Sequence, residues 1–231
     1  MNVLVVLLFI VGLAALIYFG YTSWKQEQKR HALLFQWATN SGFSYVREDD
    51  SWCVRWDRAP FGEGDHRRAE NVVTGVDHSR PFACFDYSYE THSSDGRGGS
   101  STTTHRYVVS SVQLPTYLPV LQVTPQSLFT RFGHALGLED DIELESEDFN
   151  RRFRVSSRDP KFASDVLSPR TMQALLTRPD LSWRFDGQAA VAWREGKLTP
   201  PVALADLAAI RTVIDGIPSF VWHDHGVGDT A

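Results

Sequence analysis

The stretch VLVVLLFIVGLAALIYFGY, residues 3–21, holds 19 consecutive residues without a formal charge. No other local pattern restricts the chain as much. About 20 apolar residues in a helix cross the hydrocarbon core of a bilayer. A cleaved secretory leader instead wants basic residues ahead of an apolar core of about 7–15 residues, and small residues at its end. Here no Lys or Arg comes first, the run is longer, and Ile17, Tyr18, Phe19 and Tyr21 crowd its end. The expectation is a single transmembrane helix within residues 1–24, meeting membrane lipid through residues 3–21.

Orientation follows from the flanks, because Lys and Arg collect at the cytoplasmic end of a span. Lys25, Lys29 and Arg30 follow the run, and only Met1 and Asn2 precede it. The rest of the chain is therefore expected on the cytoplasmic side of an inner membrane, as the C-terminal part of a single-pass protein. Tyr18, Tyr21 and Trp24 suit the aromatic belt at the membrane surface, although ordinary helix packing would use them as well.

Beyond residue 24 the composition is that of a folded domain. Across the chain 42% of residues are hydrophobic, ample for a packed core, and the net charge of −5 offers no basic field for nucleic acid. Two cysteines, Cys53 and Cys84, are too few for a disulfide framework and have no zinc-ligand spacing. They read as buried free thiols, one disulfide being the competing possibility.

Residues 25–42 continue at helical spacing through Leu33, Leu34, Trp37 and Ala38 to a stop at Asn40-Ser41-Gly42, a short helical stalk. Strand-like sequence then dominates to about residue 124, with turn chemistry at DHSRP, where Pro81 opens a strand. Phe85, Tyr87 and Tyr89 alternate with Asp86, Ser88 and Glu90, as in a strand with one buried face. The glycine-rich segment at 95–100 lacks the Lys and the following helix that a phosphate loop requires, so it reads as the loose tip of a hairpin.

From Pro119 the texture changes. PVLQV reads as a strand, and four Ser, Thr or Asp residues stand directly before proline: Thr124, Asp159, Ser168 and Thr199. Each pairs a cap acceptor with a first helical residue that lacks a donor. Leu128, Phe129, Phe132 and Leu136, ended by Gly137, face one helix. Phe162 with Val166, Met172 with Leu175 and Leu176, and Ala203, Leu207, Ile210 and Ile214 face three others. FRVSS and LSWRFDGQAAVAWREGKL supply strands, the latter turning at Asp186-Gly187. The fold class is α+β: after the anchor and stalk, residues 43–231 form one soluble domain with an antiparallel sheet and several short helices, with a possible internal boundary near 124.

Candidate chemistry is sparse. Residues 138–155 turn from acidic to basic, but the acidic part lacks the glycine and offsets of a calcium loop. Glu143 and Glu145 read as a solvent face, and Ser146 as the cap of a short turn. His223, Asp224 and His225 lie in what reads as a frayed tail, and His66, His78, His92, His105 and His134 look scattered. No serine elbow is present, and neither cysteine has a basic partner. No catalytic, cofactor or metal residues are assigned, and no cofactor is expected. The mixed-charge surface of Glu147, Asp148, Arg151 and Arg152 is the one candidate interaction face.

The run at 3–21 together with NVVTG, PFACFDYSYET, LPVLQVTP, SEDFNRRFRVSSRDPKFASDVLSP and DGIPSFVW resembles an uncharacterised family of bacterial, mainly actinobacterial, single-pass membrane proteins. The resemblance covers nearly all of the chain after the span. It implies the architecture and no activity, cofactor or catalytic residue. The functional expectation is a non-enzymatic module that binds or scaffolds a partner, a protein or another ligand, at the inner membrane face. The alternative is a membrane-tethered, hydrolase-like enzyme whose site converges from residues distant in sequence.

Overall fold

In the computed structural model the described residues are 3–94, 99–128 and 142–227, the side chains of residues 3–9 excepted. Helix α1 (Val3–Asn40) runs unbroken for 38 residues. It ends as its sequence suggests: Gly42 takes φ +71, Phe43 N–H donates to Ala38 O and Gly42 N–H to Thr39 O. These two reversed bonds satisfy last-turn carbonyls that would otherwise be orphaned.

Among the described residues eight strands follow: β1 (Ser44–Glu48), β2 (Asp65–Asp77), β3 (Arg80–Ser94), β4 (Ser100–Gln113), β5 (Leu121–Pro125), β6 (Phe153–Ser157), β7 (Ser182–Asp186) and β8 (Ala189–Glu195). They form one sheet in the order β1-β2-β3-β4-β8-β7-β5-β6, antiparallel throughout. The β4–β8 ladder joins the strands before and after residue 124 edge to edge. Further helices among the described residues are α2 (Glu147–Arg152), α3 (Pro160–Val166), α4 (Pro169–Leu176), α5 (Pro200–Asp215) and α6 (Ser219–Asp224), and residues 126–128 are helical too.

Both faces of the sheet are covered, which is why the strands are richer in apolar residues than simple alternation requires. On one face Val73, Phe82, Cys84, Val108 and Ala192 pack with Leu34 and Ala38 of α1, Leu207, Ile210 and Ile214 of α5, and Phe149 and Phe153. On the other, Phe85, Tyr87, Tyr107, Val109 and Trp193 lie under Cys53, Trp56 and Phe61, from the segment joining β1 to β2. Arg184, fully buried in β7, ties that segment down. Its guanidinium donates to Arg58 O, Ala59 O and Asp186, and stands 5.4 and 5.3 Å from the rings of Phe61 and Trp193. Cys53 and Cys84 are free, buried and in opposite layers.

Most local expectations match the elements. Asp159 Oδ1 accepts from Phe162 N–H at 2.9 Å and Ser168 Oγ from Thr171 N–H at 3.3 Å, each ahead of a first-turn proline. Ser146 caps α2 in the same way. Thr199 occupies the cap position of α5 without a side-chain bond.

Three expectations are refined by the sheet and its packing. Thr124 and Pro125 end strand β5, paired with Arg154 and Phe153, and residues 126–128 are helical directly after them, so a helix starts where the Thr-Pro pair put it and Thr124 is a ladder residue as well. The hairpin arms are paired well beyond the alternation at 85–90. The β3–β4 ladder persists to Ser94↔Ser100, because its Thr and Ser residues favour extended backbone and bridge the strands, as in Ser93 Oγ to Ser101 Oγ at 2.7 Å. The tail is also packed: His225 O accepts from Thr116 Oγ1 at 2.7 Å, and its ring lies 5.8 Å from Phe162. The hairpin tip at 95–98, the helix face at Phe129, Phe132 and Leu136 with Gly137, His134, and the acids at 139–141 lie outside the described residues.

Candidate functional site

The densest polar constellation lies where α1 crosses the sheet. Asp86 falls on the polar side of the β3 alternation, which by sequence alone faces water. In the fold α1 covers that position. The carboxylate accepts from Arg30 Nη1 at 2.5 Å, from Asn71 Nδ2 at 2.8 Å and, through Oδ1, from Leu198 N–H at 2.6 Å. Arg30 also donates to Glu27 at 2.9 Å and to Leu198 O at 3.1 Å, and Lys197 pairs with Glu27.

Asn71 reaches this cleft because β2 carries a bulge. The register passes from Glu70↔Asp86 to Val73↔Cys84, two residues opposing one, and Asn71 takes φ +56 while buried to 1% exposure. Asn is among the residues that tolerate this left-handed backbone, and a bulge re-aims its side chain. Its Oδ1 accepts from Tyr45 O–H at 2.8 Å and meets His31 Nδ1. The electrostatics follow the packing. Burial alone would lower the Arg30 pKa, but Asp86 and Glu27 outweigh it and raise it. Glu27, partly desolvated, is nonetheless held below its usual value by Lys197 and Arg30. The cleft encloses about 260 Å³, reaching Ser88, Arg106 and Tyr107.

A second concavity, about 1070 Å³, opens at the end of the sheet where β2, β3, β4 and the β7–β8 turn meet. Phe43, Trp52, Trp56, Phe82 and Tyr117 supply aromatic walls, and Arg55 lies 3.7 Å over the Trp52 ring. Its lining also includes Arg55, which is exposed, and Asp186, whose carboxylate accepts from Arg184 Nε at 2.9 Å. Neither concavity matches the sequence-level candidates. Glu147, Asp148, Arg151 and Arg152 are exposed on α2, where Asp148 pairs with Arg151. They converge with neither concavity. Ile142 and Leu144 alternate inward against Glu143 and Glu145, with Ile142 N–H bonded to Val155 O.

Among the described residues no helix is long and apolar enough to cross a membrane, the first part of the 3–21 run having no described side chains. From Ile10 to Trp24, α1 stands clear of the domain, with Leu16, Ile17, Tyr18 and Phe19 each more than 60% exposed.

The fold and the cleft together define an α+β protein whose single antiparallel sheet is clamped onto the last turns of a long N-terminal helix. No protein-family model matches the chain, and no curated protein matches it. Among solved structures, that of the mycobacterial trehalose monomycolate transport factor A, TtfA, is similar in fold. The TM-score is 0.57 at 16% identity, over 81% of this chain and 96% of that one.

Proposed function

We propose that this chain is a membrane-anchored, non-enzymatic module that binds or scaffolds a partner at the cytoplasmic face of a bacterial inner membrane. The observation that carries the reading is the junction of α1 with the sheet. Arg30 lies nine residues past Tyr21, about 14 Å along a helix at about 1.5 Å per residue, so the Asp86 clamp holds the domain against the membrane surface. A tether meant only for attachment would work as a flexible linker. A continuous helix locked by partly buried ionic contacts instead sets one orientation of the domain relative to the bilayer.

The structural neighbour is a transport factor, and an accessory role beside a membrane transport process is the reading we favour for this chain. The Glu147, Asp148, Arg151 and Arg152 surface is the proposed partner face.

Three measurements test this. The full chain should sediment with membranes and resist alkaline extraction, and a chain lacking residues 1–24 should be released. A reporter active only in the periplasm, fused after Ala231, should be silent. Recovery of the full chain in the soluble fraction would overturn the anchor, and strong reporter activity would overturn the orientation. A photo-crosslinking residue at Arg152 should trap a membrane protein in cells, while one at Tyr117 should not; the reverse pattern would move the partner site to the aromatic concavity.

A further inference from the structure

We propose that His66, Glu90 and His92 form a surface binding site for one divalent transition-metal ion of the zinc class. One ligand atom from each lies within 4.8 Å of the other two, and Glu90 Oε2 stands 3.4 Å from His66 Nδ1. Tetrahedral zinc with bonds of about 2.0–2.1 Å holds its ligands roughly 3.4 Å apart. The His66–Glu90 pair is already at that spacing, and His92 needs only a side-chain adjustment to reach it.

The backbone builds this cluster. Positions 90 and 92 lie two apart on β3, so the pleat puts both on one face. His66 joins them through a second bulge in β2, where the register passes from Asp65↔Glu90 to Arg68↔Ser88 with one extra residue. His66 sits in that bulge with φ +51, a left-handed conformation costly for most side chains. Gly64 holds the approach. Its φ is +58, and a Cβ there would stand 2.3 Å from Glu90 O, so only glycine lets the chain before His66 press against β3.

His92 is also oriented from behind. Its Nδ1 lies 3.0 Å from Thr102 Oγ1 on β4, which leaves Nε2 as the ligand atom. An outer hydrogen bond of this kind fixes ring and tautomer in metal-binding histidines. Two imidazoles and a carboxylate suit zinc and its neighbours in the first transition row. They poorly suit calcium or magnesium, which take mostly oxygen ligands. His66 and His92 are exposed, so water can complete the coordination shell.

The test uses the untagged full chain in detergent, stripped with a chelator and dialysed against zinc, with cobalt as a spectroscopic substitute. The expected result is one zinc ion per chain and a cobalt spectrum of the four-coordinate type. His66→Ala, His92→Ala and Glu90→Gln should each weaken zinc binding by well over tenfold. Thr102→Val, which removes only the outer hydrogen bond, should weaken it by about 10–100-fold. His78→Ala and the paired His223→Ala, His225→Ala variant should bind as the parent does. Absence of zinc binding by the parent, or equal binding by the His66→Ala, His92→Ala double variant, would overturn the proposal. In the unsubstituted chain, zinc should also shield His66 and His92 from diethyl pyrocarbonate. Unchanged modification of both would overturn it without recourse to any variant.

Discussion

Replacing Asp86 with Ala removes the acceptor on which the junction between α1 and the sheet depends. Three donors converge on that carboxylate at 2.5, 2.8 and 2.6 Å, and the side chains of Arg30 and Asp86 are each only 15% exposed. Deleting one member of a buried ion pair costs about 3–5 kcal/mol, because the surviving charge stays desolvated. Glu27 still pairs with Arg30, which places this term near the lower limit, about 3 kcal/mol. The abandoned Asn71 amide, on a side chain buried to 1% exposure, adds about 1 kcal/mol. The expectation is therefore about 4 kcal/mol, read from urea unfolding of the full chain in detergent, followed by tryptophan fluorescence with an unchanged slope in denaturant. A second substitution, Arg30→Met, removes the stranded charge. The double variant should recover part of the loss, with a coupling of about 1–3 kcal/mol. A loss below about 1 kcal/mol for Asp86→Ala, or a coupling indistinguishable from zero, would refute the reasoning that this cluster clamps the helix.

Three further outcomes follow from other parts of the fold. Phe149 and Phe153 are both buried with ring centroids 4.9 Å apart, so Phe153→Ala should cost about 3–5 kcal/mol. Charge reversal at the exposed Arg151 and Arg152 should shift stability by no more than about 0.5 kcal/mol, and equal losses would contradict this division of core and surface. Burial raises the Asp206 pKa against the pull of Arg178 and Arg194, so the folded state holds that proton more tightly than the unfolded chain. Stability from this group is full at low pH and declines as pH rises through the folded value; Asp206→Asn should remove that slope, and parallel pH profiles would contradict the assignment. Burial pushes both thiols up to about 12. Iodoacetamide near neutral pH should therefore label neither Cys53 nor Cys84 until the chain is unfolded in urea, and rapid native labelling of Cys84 would place it outside the core.

The patterns legible in the sequence are those whose physics is local. The Gly42 stop of α1, the proline-led caps at Asp159 and Ser168, the Asp186-Gly187 turn, the Phe85-Tyr87-Tyr89 alternation and the inward stripe of α5 each depend on residues a few positions apart. Backbone donors near in sequence can meet only certain partners, so composition and spacing suffice. The α+β class with an antiparallel sheet was readable on the same grounds. The Thr/Ser-rich arms of the hairpin and the ladder role of Thr124 were not legible, because such short polar patterns extend only once a neighbouring strand is present to pair with them.

Neither polar cluster could be read this way. Asp86 meets Arg30 across 56 residues of chain and Leu198 across 112, and it became a half-buried hub only because α1 lies over a strand position that alternation assigns to water. Asn71 and His66 reach their partners through bulges in β2 that no residue pattern announced, since a bulge is decided by how two strands come into register. By itself the sequence determined the long apolar run, the element types and most of their ends. Strand order, the two bulges and the docking of α1 determined which of its polar residues meet, because contacts between distant residues exist only after the chain has packed.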